Sequence, residues 1–228
     1  MKRIGLLSVV LAAALTVACH RSDSAKNNGN SSAVGTSGAS LNTPTSGDKD
    51  FVRDMAIANM ADAELGQLAG DRSTNNELKK FAGIEATDHA KVKAALATVA
   101  SKFDIPIPTE LNDKYRELRE KLTKRNGADF DRAYIDAIID DHEDVVDKLE
   151  KRTDQKTLAE WHAQVADRVK GEHVGEHGVT IAVLPEKSDN AATFAINEWA
   201  AATLPVVQAH LDAARVLKVA LDKARTTH

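Results

Sequence analysis

From Phe51 onward, apolar residues recur every three or four positions in four long segments, with no sustained two-residue alternation. That period predicts helices, each of which must bury one stripe against its neighbours. The first stripe carries Phe51, Met55, Ala58, Leu65, Leu68 and Ala69, and Gly70-Asp71 is its expected end. Thr74-Asn75-Asn76-Glu77 has capping-box spacing for a second helix, whose stripe is Leu78, Phe81, Val92, Leu96 and Val99. It ends before Pro106 and Pro108, because proline disfavours helical geometry in the residue before it. A short segment (Leu111, Tyr115, Leu118, Leu122) precedes Asn126-Gly127. A long helix is expected from about Asp129 to Arg152, then a segment with Leu158, Trp161, Val165 and Val169. The last stripe runs from about Ala191 to Lys223, and Pro205 is expected to kink that helix or to open its final part. Four long helices with short accessories predict an all-α, up-and-down four-helix bundle forming one domain, residues 50–228. Aromatics make up only 4% of residues, which suits packed helices better than a sandwich of sheets.

The first fifty residues read differently. Lys2 and Arg3 precede a short apolar run, 4–17, too short to span a bilayer comfortably and typical of an export signal. Val17-Ala18-Cys19 resembles the lipobox of bacterial lipoproteins, with Thr16 where leucine is usual. That resemblance implies a signal peptide over 1–19 and acylation of Cys19, the single cysteine, on a chain facing the periplasm. His20 follows the cysteine instead of the aspartate that retains many such proteins at the inner membrane, which points to the outer membrane. In residues 20–49, eighteen of thirty are Gly, Ser, Asn or Thr, so a flexible linker is expected there.

Three histidines sit inside the apolar stripes. His142 lies three residues after Ile139 and four before Val146. His89 lies three before Val92, and His210 three after Val207. Glu64, four before Leu68, stands at the edge of the first stripe. Each long helix thus offers one metal-competent side chain near its middle. Imidazole and carboxylate suit Fe, Mn, Zn or Cu, and bundle cores build such sites from facing helices. Glu85 and Asp88 are possible extra ligands or hydrogen-bond acceptors, and Glu85, Asp88, Asp141 and Glu143 are candidates for an outer layer around them. The same residues also suit a structural polar layer that fixes bundle register, or a pH-sensitive one.

Several motifs together resemble one bacterial family: Glu64-Leu65-Gly66-Gln67-Leu68-Ala69, Asp88-His89, Phe130-Asp131 with Tyr134, Asp141-His142-Glu143, and Leu204-Pro205 with His210-Leu211. This is the domain of unknown function 4142 family, exported or outer-membrane proteins of ferritin-like fold. The resemblance spans about residues 50–150 and 198–220, with 155–197 as an insertion. It implies a fold and a location more than an activity. The Glu-x-x-His pairs of ferritin-type di-iron sites are absent from the chain, so any ion here is expected to be single.

Other chemistry is excluded or weak. There is no Gly-rich phosphate loop, no GxSxG and no HExxH. Glu172-His173 and Glu176-His177 repeat, but Gly171, Gly175 and Gly178 argue for a loop rather than a helix. Val179–Leu184 could form a strand, yet a single strand has no partner. A net charge of −4 with few aromatics argues against nucleic acid. The basic run Lys114–Arg125 is interleaved with Glu117 and Glu120 and reads as a solvated helix face. The expected role is a non-catalytic binding or stress-protection module tethered to the envelope. A mononuclear metal-binding redox protein is the alternative. Other envelope proteins are possible partners, docking on an apolar patch expected around Trp161 and Trp199.

Overall fold

The first helix begins where the chain first offers a complete cap. Thr45 accepts from the backbone of Asp48, and the Asp48 carboxylate accepts from the backbone of Thr45, a reciprocal capping box. This starts α1 (Ser46–Arg72) inside the stretch assigned above to the linker, because linker-type residues also make good caps. The computed structural model describes residues 41–169 and 182–226; Cys19, the expected signal peptide, most of the expected linker and the 172–177 repeat lie outside them. α1 runs through Gly70-Asp71 to Arg72 instead of ending there.

In α2 (Asn76–Lys102) the cap is Asn75, one residue later than the expected Thr74. Its side-chain oxygen accepts from Glu77 and Leu78. α3 (Asp113–Thr123) is capped by Asn112, and α4 (Gly127–Glu150) starts at a glycine with φ +54°, a conformation side chains disfavour. α5 spans Gln155–Val169. α6 (Ala191–Thr226) continues through Pro205 as one helix, with no break there. The all-α bundle is therefore built from α1, α2, α4 and α6, with α3 and α5 as accessories. Thr153, between α4 and α5, and Pro185, between α5 and α6, form an isolated bridge, and no strand occurs among the described residues.

Contacts fix the helix directions. Gly66 abuts Ala82 while Asn59 meets His89, so α1 and α2 are antiparallel. Asp54 pairs with Lys148 while Asp62 lies near Asp141, so α1 and α4 are antiparallel too. Hence α2 and α4 run the same way, and the segment carrying α3 crosses the bundle between them. One such crossover distinguishes this bundle from strict alternation. Arg215 pairs with Glu143 and Lys218 with Asp136, which sets α6 antiparallel to α4. At one end Asp48 ties three elements together, bonding Arg152 at 2.6 Å and Thr193 at 2.7 Å.

The core is divided. One apolar cluster holds Met55, Leu96, Leu149, Trp161, Ile196 and Trp199. The other holds Leu65, Leu78, Phe81, Phe130, Ile135 and Leu221. Between them every long helix contributes buried polar residues: Asn59 and Asp62, Glu85 and His89, Asp141 and His142, and His210. Trp161 and Trp199 are buried in the first cluster, and Trp199 donates to the Val92 carbonyl, so neither tryptophan is itself exposed to a docking partner. Their size makes them core anchors. No helix among the described residues is long and apolar enough to cross a membrane.

Candidate metal centre

The polar level is built by helical spacing. Glu85 and His89 stand four apart on α2, so both project to the same side one turn apart. His142 comes from α4 and His210 from α6. Their atoms converge. His89 Nε2 lies 3.2 Å from His142 Nε2 and 3.3 Å from His210 Nδ1. Glu85 Oε2 is 3.2 Å from His89 Nε2 and 3.3 Å from His142 Nε2, and its Oε1 is 3.1 Å from His210 Nδ1. Glu85 and His142 are completely buried, with His89 2% and His210 6% exposed.

These separations have a chemical meaning. His89 Nε2 is close to both other ring nitrogens, Glu85 Oε2 faces His89 and His142, and Oε1 faces His210, so all four side chains present ligand atoms within 4.8 Å of one another, close enough to share one ion. Neither Glu85 oxygen has a hydrogen-bond partner, although three ring nitrogens stand close by. A buried carboxylate without a partner is costly, and a cation among these atoms would satisfy it.

The protons support the same centre. Asn59 donates through Nδ2 to the Met55 carbonyl at 2.7 Å, which turns its oxygen towards His89 Nδ1, 2.9 Å away. That oxygen can only accept, so the His89 proton sits on Nδ1 and the Nε2 lone pair faces the centre. His210 Nδ1 faces the centre while Nε2 lies 3.4 Å from Asp88. Outer partners that orient ligand histidines are the usual second shell of a metal site. Burial opposes ionisation of Glu85, but His142, then His89 and His210, outweigh it and hold the carboxyl well below its ordinary range. Burial likewise opposes charge on His142, yet Glu85 lifts its pKa to about 9. His210 is lowered, chiefly by burial.

The structure brings His89, His142 and His210 together, but not Glu64. Its side chain is over a third exposed and pairs with Arg119 at 2.9 Å. Two positions earlier on α1 the rotation is inward, and Asp62 there is 1% exposed. Glu85, expected as an extra ligand or in an outer layer, is in direct contact with all three histidines. Asp88 sits at the edge of the cluster, shared between His210 and Lys91. Asp141 is buried and accepts from Tyr115 at 2.6 Å and Lys114 at 3.1 Å. Glu143 is exposed and pairs with Arg215, so it plays no part. Asp62 and Asn59 were not anticipated. Asp62 stands three before Leu65 on the buried face, a spacing that marks it inward.

Three nitrogens and a carboxylate suit Zn, Fe, Mn or Cu. No curated protein and no solved structure matches the chain. A family model matches residues 33–173, which include Asp62, Glu85, His89, Asp141 and His142. Leu204-Pro205 and His210 lie beyond the matched stretch. The match covers more than half of the sequence, and on it the chain belongs to the family described as Domain of unknown function (DUF4142).

Proposed function

We propose that this protein binds a transition-metal ion inside its helical bundle through Glu85, His89, His142 and His210. The observation that carries the reading is the convergence of these four side chains, one carboxylate and three imidazoles, at 3.1–3.3 Å with the Glu85 oxygens otherwise unpartnered. Burial of all four favours holding the ion over processing a bulky substrate. Metal sequestration in a stress-protection role fits that enclosure. A redox role has one supporting observation: a pocket of about 120 Å³ lined by Tyr115 and Asp141 borders the polar level and would admit a small molecule. The apolar run 4–17 and Cys19 support action at the bacterial envelope, on the periplasmic face of a membrane, through an acyl anchor.

The test uses the full-length chain, exposed in turn to Fe, Mn, Zn and Cu, desalted and examined by elemental analysis beside a His89→Ala/His142→Ala variant. Retained metal that disappears in the variant is expected. No metal in the wild type, with the variant merely less stable, would make the cluster a structural polar layer. Labelling with a radioactive fatty acid tests the anchor: the wild type takes up label and Cys19→Ala does not. Equal labelling, or none in either, would refute it.

A further inference from the structure

The imidazole of His142 has a second face. If Nε2 serves the centre above, ring geometry turns Nδ1 away from it, and Nδ1 is buried without a hydrogen-bond partner. His142 groups with Asp62 and Asp141 through ligand atoms that all lie within 4.8 Å of one another. Both Asp62 oxygens are buried and unpartnered, as is Asp141 Oδ2. The other Asp141 oxygen is the one that Tyr115 and Lys114 occupy, so Oδ2 remains available.

No hydrogen bond joins the atoms of this group, and neither Asp62 oxygen has a donor within reach. The ring nitrogen nearest Asp62, His89 Nδ1 at 3.6 Å, already gives its proton to Asn59. Four buried polar atoms from α1 and α4 thus face one another. Left unpartnered, each carries a desolvation cost.

We propose that Asp62, Asp141 and His142 Nδ1 hold a second divalent cation, with the His142 ring bridging it to the first. The inference rests on the metal-binding reading above, because His142 must already serve that ion. Two carboxylates and one nitrogen form a harder donor set than the three-histidine centre. They suit Mn²⁺ best, and Zn²⁺, which also accepts carboxylate oxygen, serves as a probe. Bridging uses both ring nitrogens as donors, so His142 releases its last ring proton to the buffer as the second ion enters. Charge then balances: two divalent ions offset the carboxylates of Glu85, Asp62 and Asp141 and one imidazolate. Tyr115 and Lys114 hold Asp141 from its outer side and position it for the ion.

The experiment strips the full-length chain with a chelator, reloads it with Zn²⁺ alone, removes loose metal by gel filtration and counts zinc per chain. Two equivalents are expected in the wild type and one in Asp62→Asn/Asp141→Asn, whose amides preserve size. One equivalent in both would overturn the second site alone. Two in both would place the second ion elsewhere. None in the wild type would instead remove the metal-binding reading itself. If the double variant fails to fold, Asp62→Asn alone provides the same comparison. Loading with Cu²⁺ tests the bridge: magnetic coupling through the shared ring should suppress the paramagnetic resonance of the wild type, while the variant shows an isolated Cu²⁺ spectrum. An isolated spectrum from a wild type carrying two Cu²⁺ would refute the shared imidazole.

Discussion

Glu85 offers the sharpest test of what holds the middle of the bundle. Glu85→Gln keeps the shape and removes the charge that faces three imidazoles at 3.1–3.3 Å. Any ligand that binds only the folded state stabilises it by RT ln(1 + [L]/Kd), about 2.7 kcal/mol at one hundred times Kd. For a domain of this size about 1 kcal/mol moves Tm by roughly 2–4 °C, so saturating metal should raise Tm by about 5–11 °C. Loss of even a second-shell partner weakens metal affinity by about 10–100-fold, and loss of a charged ligand should reach at least the upper figure. At the same metal concentration the variant then sits near its own Kd. The linkage falls to about 0.4 kcal/mol and the shift to about 1–2 °C. Differential scanning fluorimetry of both proteins, with zinc and with chelator, measures the difference of differences, from which the intrinsic cost of the substitution cancels. Equal zinc-induced shifts in the two proteins would refute the assignment of Glu85 as a ligand.

Other substitutions probe the frame around the site. A Cβ on Gly66 would lie 2.7 Å from the Ala82 carbonyl oxygen and 2.9 Å from the Ala86 nitrogen. Gly66→Ala should therefore cost about 1–3 kcal/mol in urea denaturation. Gly70→Ala meets nothing within 4 Å and should stabilise the protein by about 0.5–1 kcal/mol. Burial alone would raise the pKa of Asp48, but Arg152, then Thr193 and Thr45, more than offset it and hold it below the usual carboxylate value. A depressed folded pKa contributes stability above the unfolded value and loses it as pH falls through the folded one. Asp48→Asn should thus cost about 1–2 kcal/mol at pH 7, with the gap to wild type closing below about pH 4. A gap independent of pH would show that the charge is irrelevant. Tyr115→Phe removes the donor to Asp141 Oδ1 and should cost about 1–3 kcal/mol by thermal unfolding; an unchanged Tm would mean that Lys114 alone satisfies that oxygen.

Much of this architecture is legible in the sequence, for identifiable reasons. Helical period is strong in α4, where Phe130, Ile138, Val145 and Leu149 leave one inward face, so His142 could be placed by counting. His89 and His210 follow the same rule. α1 is harder, because Met55 to Asp62 are buried almost all round and small alanines blur the stripe. That blur is why Glu64, at the edge of the face, stood in for Asp62. Glu85 falls between ligand and outer partner when only the sequence is read, although four-residue spacing puts it on the same face as His89. Asn59 carries no charge and looks like any helix amide until its partner is known. The caps at Thr45 and Asn75 depend on which of several adjacent polar side chains reaches back, a matter of backbone angles that composition does not reveal.

The split core has a consequence for how the bundle comes apart. Two apolar blocks, one around Leu149 and Trp199 and one around Phe130 and Leu78, are separated by a waist of buried charge. Hydrophobic burial stabilises each block without help, whereas the waist is favourable only when its carboxylates and imidazoles are neutralised together. On the metal-binding proposal, the metal-free chain should open more readily at the waist, each block losing protection at its own rate. An ion bound there would couple the two blocks. Amide exchange on the flanks of α2 and α4, well away from any ligand, would then slow in step at both ends of the bundle when metal binds at its middle.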